Sequence, residues 1–266
     1  MTPEGRAGLA QLLKVPERAL VGMDFDGTLS PIVTDPARAY AAAGAARALR
    51  RLSPLLGTLA VITGRPAALA ADLGGFEEVP GLIVLGHYGL ERWENGQVAS
   101  APAPDGVAQA REALPAVLAA AGAPDGTLVE DKGLSVAVHT REAPDPQEAL
   151  DRLRGPLTAL AARAGLAVEP GRLVIELRPR GMDKGAALEN LASERNPSAL
   201  MYCGDDLGDL AAFGAVRALR AAGIPGLTVC SGSPEVTALA QAADLVVDGP
   251  EGVVALLSAL ADALTP

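Results

Sequence analysis

Short, mainly apolar runs of residues recur along the chain, and each run ends in a polar or glycine-containing turn. The six runs are residues 20–23, 58–62, 82–85, 199–203, 227–230 and 245–247. Because polar residues do not alternate with apolar ones, these runs are typical of strands buried on both faces of a parallel sheet. Ala-rich segments with helical spacing lie between them, at residues 41–52, 66–73, 184–195 and 206–219. This alternation predicts a doubly wound α/β core.

The middle of the chain has a different pattern. The helical stretch at residues 107–121 is followed by runs with strand-like alternation at residues 127–140. The helical stretch at residues 146–164 is followed by two predicted strands, at residues 166–169 and 173–177. The order helix, strands, helix, strands predicts a small α+β unit whose antiparallel sheet is open on one face. We therefore expect that residues 103–178 form a domain inserted into a core that comprises residues 1–102 and 179–266.

Charge and composition restrict the possible partners. The formal net charge of −10 argues against nucleic acid or an anionic membrane as a partner, because their phosphates would be repelled. Glu4, Arg6 and Lys14 interrupt the region where a signal peptide needs an apolar core, so we expect a cytoplasmic protein. Cys203 and Cys230 each end an apolar run, which predicts two buried, unpaired thiols. An anionic substrate would need a local cation.

Two carboxylates directly follow the first predicted strand, in Asp24-Phe-Asp26-Gly27-Thr28. In an open parallel sheet, ligands bind at the carboxyl ends of the strands. An ordinary turn is the alternative, because Asp-Gly is a common turn dipeptide. The repulsion between two carboxylates so close together favours a bound cation or a perturbed pKa.

A second acidic group follows the strand at residues 199–203, in Gly204-Asp205-Asp206-Leu-Gly-Asp209. Three carboxylates within five residues form a set of hard oxygen ligands of the kind that Mg²⁺ prefers. The alternative is a helix N-terminus, where acidic side chains are electrostatically favourable.

Two further segments supply groups that can bind an anion. Thr63-Gly64-Arg65 ends the strand at residues 58–62 and offers a hydroxyl, backbone amides and a guanidinium to phosphate oxygens. Lys184 begins a predicted helix after the insertion and offers an ammonium group. The alternatives are a helix cap for Thr63 and a solvated surface charge for Lys184.

In this order the four segments resemble the four motifs of the haloacid dehalogenase (HAD) superfamily of phosphatases. Three longer stretches, at residues 86–93, 130–141 and 176–185, are similar to the trehalose-6-phosphate phosphatases within that superfamily. The resemblance implies a HAD-like core, a Rossmann-like parallel sheet, with an inserted α+β cap domain that closes over it. One segment departs from the family pattern, because Leu207-Gly208-Asp209-Leu210 stands where many members have x-Thr-Asp-Glu.

The resemblance implies a Mg²⁺ cofactor and a set of residues that hold it. Asp24 would supply a carboxylate, Asp26 a backbone carbonyl and Asp205 a second carboxylate. Asp206 and Asp209 would influence the ion from nearby positions. We expect the protein to be a monomer.

The resemblance also implies the catalytic roles. Asp24 would attack phosphorus and form an aspartyl phosphate, while Asp26 would act first as general acid and then as general base. Thr63 and Lys184 would bind the phosphate oxygens. The expected reaction is hydrolysis of trehalose 6-phosphate to trehalose and phosphate.

Recognition of the sugar is assigned to the insertion. Residues 130 and 132 occupy alternate strand positions and so face the same side. By resemblance, the sugar hydroxyls would contact Glu130, Lys132, His139, Arg141 and Glu176. His87, in the core, is a further candidate for substrate binding.

Three alternative functions are compatible with the same residues. The chain could hydrolyse a different sugar phosphate, or it could be a catalytically silent sugar-phosphate sensor. A sensor would lose nothing without its nucleophile, and the chain retains Asp24, Asp26, Thr63, Lys184 and Asp205, which counts against a sensor. A phosphotransferase or mutase would have to shield the aspartyl phosphate from water.

Overall fold

The computed structural model describes residues 1–100, 102, 105–171, 173–232 and 237–265. The chain divides into two compact units. The core unit comprises residues 1–100 and 183–266, and the inserted unit comprises residues 101–182. The sequence predicted an insertion at residues 103–178, of which residue 103 lies outside the described residues.

Strands and helices alternate in the core unit, and the inserted unit contributes two more helices. Among the described residues the strands are β1 (Ala19–Met23), β2 (Thr58–Ile62), β3 (Leu82–Gly86), β4 (Glu91–Glu94), β5 (Gln97–Ser100), β6 (Leu128–Asp131), β7 (Val136–His139), β8 (Leu166–Gly171), β9 (Val174–Pro179), β10 (Ala199–Gly204), β11 (Gly226–Gly232) and β12 (Leu245–Asp248). The α-helices described are α1 (Pro3–Lys14), α2 (Ala45–Leu52), α3 (Ala67–Gly74), α4 (Asp105–Ala120), α5 (Pro146–Arg163), α6 (Lys184–Arg195), α7 (Asp209–Ala221), α8 (Thr237–Ala242) and α9 (Gly249–Leu264).

The sheet of the core unit has the strand order β12-β11-β10-β1-β2-β3-β4-β5. The six strands from β12 to β3 are parallel, and in register Met23 of β1 pairs with Cys203 on one side and Val61 on the other. These are the six runs predicted from the sequence, and the prediction of a doubly wound α/β core is confirmed. The hairpin β4–β5, which extends the sheet with antiparallel strands, was not predicted.

Helices cover both faces of this sheet. On one face, apolar residues of α1, α2, α3 and α9 form a buried cluster with alternate strand residues such as Val21 and Met201. On the other face, α6, α7 and α8 pack on Leu20, Leu200 and their neighbours. Burial on both sides is the reason why these strands are mainly apolar.

The first helix, α1, packs on β11 and β10 of the sheet. The Thr2 hydroxyl caps α1 by accepting a hydrogen bond from the Gly5 amide at 3.0 Å. A Cβ at Gly8 would lie 2.2 Å from the carbonyl oxygen of Gly226, so only glycine permits this close packing of α1 on β11.

The inserted unit has a four-stranded antiparallel sheet in the order β6-β7-β9-β8. Val136, Val138, Ile175 and Leu177 point to one face, where they pack under α4 and α5. The alternate positions form the opposite face, which we call the polar face, and they carry Glu130, Ser135, His139, Glu169, Glu176 and Arg178. This arrangement confirms the predicted α+β unit. No helix of the described residues is long and apolar enough to cross a membrane.

Candidate active site

Three adjacent strands of the core unit end at the same edge of the sheet. Because β10, β1 and β2 are parallel neighbours, they bring Asp205, Asp24 and Thr63 together beyond their carboxyl ends. Lys184 is the first residue of α6 and reaches the same point. The Asp183 carboxylate caps that helix by accepting a hydrogen bond from the Ala186 amide at 2.8 Å.

Asp24, Asp205 and Asp209 form a buried group that we call the carboxylate cluster. One oxygen of each residue lies within 4.8 Å of an oxygen of the other two. Burial raises the pKa of Asp24 well above its usual range, and the neighbouring carboxylates raise it further despite the Lys184 ammonium. Burial, with Asp209 and Asp206 nearby, raises the pKa of Asp205 to about 7. Burial and the mutual repulsion of the carboxylates therefore both disfavour the ionised form of Asp24 and Asp205.

The Lys184 ammonium is the cation that contacts this cluster among the described residues. Its Nζ lies 3.0 Å from Asp24 Oδ2, 3.0 Å from Asp209 Oδ1 and 3.5 Å from Asp206 Oδ1. Burial lowers the pKa of Lys184, but the nearby carboxylates, Asp24 first, outweigh burial and raise it well above the usual value. Lys184 is therefore a buried, charged group that contacts the carboxylate cluster, and it is not a solvated surface lysine.

Asp209 differs from the other two members of the cluster because donors surround its carboxylate. Its Oδ2 accepts from the amides of Asp205 at 3.0 Å and Asp206 at 3.2 Å, and its Oδ1 accepts from the Tyr202 hydroxyl at 2.8 Å. Oδ1 also contacts Lys184. Asp209 thus fixes the backbone of the loop that carries Asp205. A Cβ at Gly204 would lie 2.3 Å from Asp209 Cγ, so this packing requires glycine.

The turn after β1 also depends on a glycine. Gly27 has φ of +72°, and a Cβ there would lie 1.9 Å from Asp205 Oδ2. The buried hydroxyl of Ser231 donates to the Gly27 carbonyl at 2.7 Å and holds the turn against β11. The Asp-Gly turn considered in the sequence is therefore present, and it also brings the first acidic segment against the second.

Asp26 lies at the rim of the site, and Arg65 holds it. Arg65 Nε donates to Asp26 Oδ2 and Arg65 NH2 donates to Asp26 Oδ1, each at 2.7 Å. The side chain of Asp26 keeps 34% of its accessible surface, against 5% for Asp24. The two acids of the first segment therefore occupy different environments.

Thr63 and Gly64 lie on the loop that follows β2. The Thr63 amide donates to the Leu85 carbonyl at 2.9 Å, and its hydroxyl accepts from the Arg65 amide at 3.1 Å. A Cβ at Gly64 would lie 2.7 Å from the Tyr88 hydroxyl, so the tyrosine covers this loop. Thr63 is 1% exposed, and it directly follows β2, the strand next to β1.

His87, a candidate for substrate binding, is buried and faces away from solvent. Its Nε2 lies 3.9 Å from Glu91 Oε1, and Glu91 Oε2 accepts from the Ala67 amide at the start of α3. His87 and Tyr88 have φ of +47° and +56°, which is rare outside glycine. These contacts give His87 a structural position beside the Thr63 loop.

The residues of the carboxylate cluster fit a divalent metal ion chemically. Carboxylate oxygens are the hard ligands that Mg²⁺ prefers, and a cation offsets the repulsion between Asp24 and Asp205. The remaining acid, Asp206, has a 56% exposed side chain and faces Lys184 from the solvent side. Burial raises the pKa of Asp206, but Lys184 leads the contributions that lower it, and the net direction is downward.

On the polar face of the inserted unit, Glu176 is the centre of a hydrogen-bonded group. Lys132 Nζ donates to Glu176 Oε2 at 2.9 Å, and the Ser135 hydroxyl donates to Oε1 at 2.5 Å. Burial raises the pKa of Glu176, but Lys132, Ser135 and Arg178 outweigh burial and lower it. Glu130 contacts His139 at 2.8 Å on the same face, whereas Arg141 is exposed in the turn after β7.

Sequence reasoning missed two residues of these sites, Ser135 and Tyr202. Ser135 is two positions before Ala137 and four before His139, so strand alternation could have placed it on the polar face. Tyr202 gave no signal, because a tyrosine inside an apolar run reads as a core residue. Its hydroxyl becomes important only through the fold, which directs it at Asp209.

Residues 22–247 match the sequence profile of a protein family described as trehalose-phosphatase. A trehalose-phosphate phosphatase of Mycobacterium avium is 38% identical over 226 residues, which is 77% of this chain and 53% of that protein. A protein of Mycobacterium tuberculosis described as an uncharacterized glycosyl hydrolase is 38% identical over 213 residues, 75% of this chain and 15% of its own length. This chain thus spans about half the length of the trehalose-phosphate phosphatases that it matches.

Solved structures share the fold. The C-terminal domain of Candida albicans trehalose-6-phosphate phosphatase superposes with a TM-score of 0.76 at 23% identity, covering 97% of both chains. A trehalose-6-phosphate phosphatase of Aspergillus fumigatus gives 0.70 at 24% identity, covering 96% of this chain and 97% of that one. The profile match over most of the sequence shows that the chain belongs to the trehalose-phosphatase family, and the solved structures show that it has their HAD-like fold.

Proposed function

We propose that this protein is a Mg²⁺-dependent phosphatase that hydrolyses trehalose 6-phosphate through an aspartyl phosphate on Asp24. The observation that carries the proposal is the pairing of Asp24 and Asp205 at the strand ends, with Lys184 3.0 Å from Asp24. The proposal includes a monomer that acts in the cytoplasm. It excludes nucleic acid and membranes as partners, since the net charge of −10 repels their phosphates.

The metal would be held by the Asp24 carboxylate, the Asp26 backbone carbonyl and the Asp205 carboxylate. When bound, Mg²⁺ screens the negative charges of the nucleophile and the phosphate. Asp209 has donors on both oxygens, so we assign it to fixing the Asp205 loop rather than to direct ligation. Asp206, on the solvent side, would adjust the local charge.

In the first chemical step, an Asp24 oxygen attacks phosphorus while the bond from phosphorus to the sugar oxygen breaks. Asp26, at the more exposed rim, gives a proton to the departing sugar oxygen. Lys184 and the Thr63 hydroxyl bind the phosphate oxygens, and the fixed ammonium stabilises the negative charge of the transition state. The free sugar and an aspartyl phosphate result.

In the second step, water attacks the phosphorus of the aspartyl phosphate. Asp26, now deprotonated, accepts a proton from that water, and the bond from Asp24 to phosphorus breaks. Inorganic phosphate leaves and the Asp24 carboxylate is restored. One side chain thus serves as acid and then as base, in agreement with its position outside the carboxylate cluster.

Selection of the sugar is assigned to the polar face of the inserted unit. Glu176 and Lys132 form an ionised pair that is partly buried, and Ser135 adds a hydroxyl. Charged donors and acceptors held in fixed positions suit recognition of sugar hydroxyls. Glu130, His139 and Arg141 would extend this surface.

The test is phosphate release by the purified protein from trehalose 6-phosphate, glucose 6-phosphate and sucrose 6-phosphate, each with and without a chelator. We expect trehalose 6-phosphate to be preferred and chelation to abolish turnover. Asp24→Asn should lose both turnover and covalent labelling by radioactive phosphate from the substrate, because the nucleophile is gone.

The matched control is Asp262→Asn, which changes an exposed carboxylate that pairs with Arg51 on the surface of the core unit. It should retain wild-type activity. A preference for another sugar phosphate would refute the proposed substrate, whereas an active Asp24→Asn variant would refute the proposed nucleophile.

A further inference from the structure

Arg65 makes a forked contact with the side chain of Asp26. Its Nε and NH2 groups donate to the two carboxylate oxygens at 2.7 Å each, and NH1 donates to the Pro36 carbonyl at 2.8 Å. The guanidinium carbon also lies 5.8 Å from the centre of the Phe25 ring. This forked pairing fixes the orientation of both groups, because the guanidinium and the carboxylate are planar.

These contacts bear on the phosphate-binding role expected for Arg65. A guanidinium has five N–H donors, and three of those in Arg65 are used by Asp26 and Pro36. The side chain keeps only 14% of its accessible surface. Lys184, by contrast, contacts the nucleophile itself. The Arg65 side chain therefore binds Asp26, the proposed acid and base, and the phosphate oxygens are left to contact Lys184 and Thr63.

The backbone that carries Arg65 is also held. Its amide donates to the Thr63 hydroxyl at 3.1 Å, and its carbonyl accepts from the His87 amide at 3.0 Å. The Tyr88 amide donates to the Thr63 carbonyl at 3.0 Å. His87 and Tyr88 form these bonds in the left-handed region, an unfavourable conformation that persists only where the surroundings enforce it. Arg65 is thus fixed at both its backbone and its side chain.

We infer that Arg65 is a positioning residue that acts through Asp26 and does not bind the transferred phosphate. The inference rests on the proposed function, in which Asp26 is the general acid and base. Both Asp26 oxygens accept from Arg65, so the guanidinium fixes the orientation of the carboxyl group that transfers the proton. Without Arg65, the half-exposed Asp26 side chain would turn freely at the rim.

The test compares two leaving groups in the variant Arg65→Gln. The sugar oxygen of trehalose 6-phosphate needs a proton as it departs, whereas the phenolate of p-nitrophenyl phosphate leaves without one. kcat/KM covers binding and the first chemical step. Displacement of a catalytic group by about 1 Å can cost about 100-fold. We expect kcat/KM to fall by about that factor for trehalose 6-phosphate and to change only a few-fold for the aryl phosphate.

A double-mutant cycle with Asp26→Asn tests whether Arg65 acts through Asp26. In the Asp26→Asn background, Arg65→Gln should cause no further loss on trehalose 6-phosphate, because the group that it positions is already inactive. Inhibition by inorganic phosphate should be the same in wild type and Arg65→Gln. Arg65→Lys keeps the charge without the fork, and we expect it to restore only part of the lost rate.

Arg51→Gln is the matched control, since it removes an exposed arginine that also pairs with an aspartate. Circular dichroism and thermal melts identify any variant that fails to fold, and Arg65→Lys then carries the comparison of leaving groups. Equal losses on both substrates, with weaker inhibition by phosphate, would overturn the inference and make Arg65 a phosphate ligand.

The inference and the proposed function fail in different ways. If wild type releases no phosphate from trehalose 6-phosphate, the proposed substrate is wrong, and the comparison is repeated with the sugar phosphate that it does hydrolyse. A wild-type protein that hydrolyses no phosphate ester would overturn both.

Discussion

The Tyr202 hydroxyl offers a test of how the carboxylate cluster is held together. Tyr202 is completely buried in β10, and its hydroxyl donates to Asp209 at 2.8 Å. Burial, together with the charge of Asp209, raises the pKa of Tyr202 well above its usual value, so the hydroxyl remains a donor. Tyr202→Phe deletes this one oxygen and leaves the ring packed edge-on against Phe213.

The expected cost follows from the charge on the acceptor. A hydrogen bond to a charged group contributes about 1.5–3 kcal/mol, and no water can replace this donor at a site without exposure. Asp209 keeps two backbone amides and Lys184, so the loop should remain folded. We expect the free energy of unfolding to fall by about 2 kcal/mol. With a urea dependence of about 3 kcal/mol/M, the midpoint falls by about 0.7 M.

Urea unfolding followed by tryptophan fluorescence measures this change in the core unit. Trp93 is the single tryptophan of the chain and is buried in β4. Tyr40→Phe is the matched control, because Tyr40 is 62% exposed, and its effect should stay within about 0.5 kcal/mol. If Tyr202→Phe is no less stable than Tyr40→Phe, then Asp209 does not depend on the hydroxyl and the argument is wrong.

Three further predictions concern pH, metal and substrate. Burial alone would raise the pKa of Asp244, but hydrogen bonds, from Arg220 first, outweigh burial and hold it at about 2, below its ordinary 3.8. This contribution of about 2 kcal/mol to stability is complete above about pH 4 and is lost as the pH falls towards 2. When the urea midpoint is measured over this pH range, it should therefore depend less on pH in Asp244→Asn than in the wild type. Mg²⁺ should raise the melting temperature of the wild type and leave that of Asp205→Asn unchanged, because only the former keeps both proposed carboxylate ligands. Glu176→Gln should raise KM for trehalose 6-phosphate without affecting p-nitrophenyl phosphate, which lacks the sugar, and Glu148→Gln, an exposed change on α5, should affect neither substrate.

The sequence predicted the parallel strands because burial on both faces leaves a pattern that few other structures produce. The hairpin β4–β5 was missed because, apart from the buried Trp93, its residues are half-buried or exposed, and three of them are charged, namely Glu91, Arg92 and Glu94. The helix α1 carries ordinary start signals, a capping Thr2 followed by Pro3. Its place on β11 depends on glycine contacts that no local pattern reveals.

The acids and the lysine of the candidate site could be named from the sequence because each directly follows a predicted strand or begins a predicted helix. Their partners could not be named. The guanidinium of Arg65 meets Asp26 from 39 positions away, and four donors from three segments meet at Asp209. Such pairings depend on the tertiary structure, since they follow from how neighbouring strand ends and helices are packed.

These partners divide the acids of the core site by the way in which each carboxylate is satisfied. Asp209 and Asp26 have both oxygens occupied by protein donors, whereas Asp24 and Asp205 are crowded together with one ammonium nearby. A carboxylate whose acceptors are filled can orient its neighbours but offers little to a metal ion or to phosphorus. A carboxylate with few protein donors is stabilised by a metal ion and has an oxygen available to attack phosphorus. The division therefore supports the nucleophile and metal-ligand roles proposed for the second pair and the positioning role proposed for Asp209.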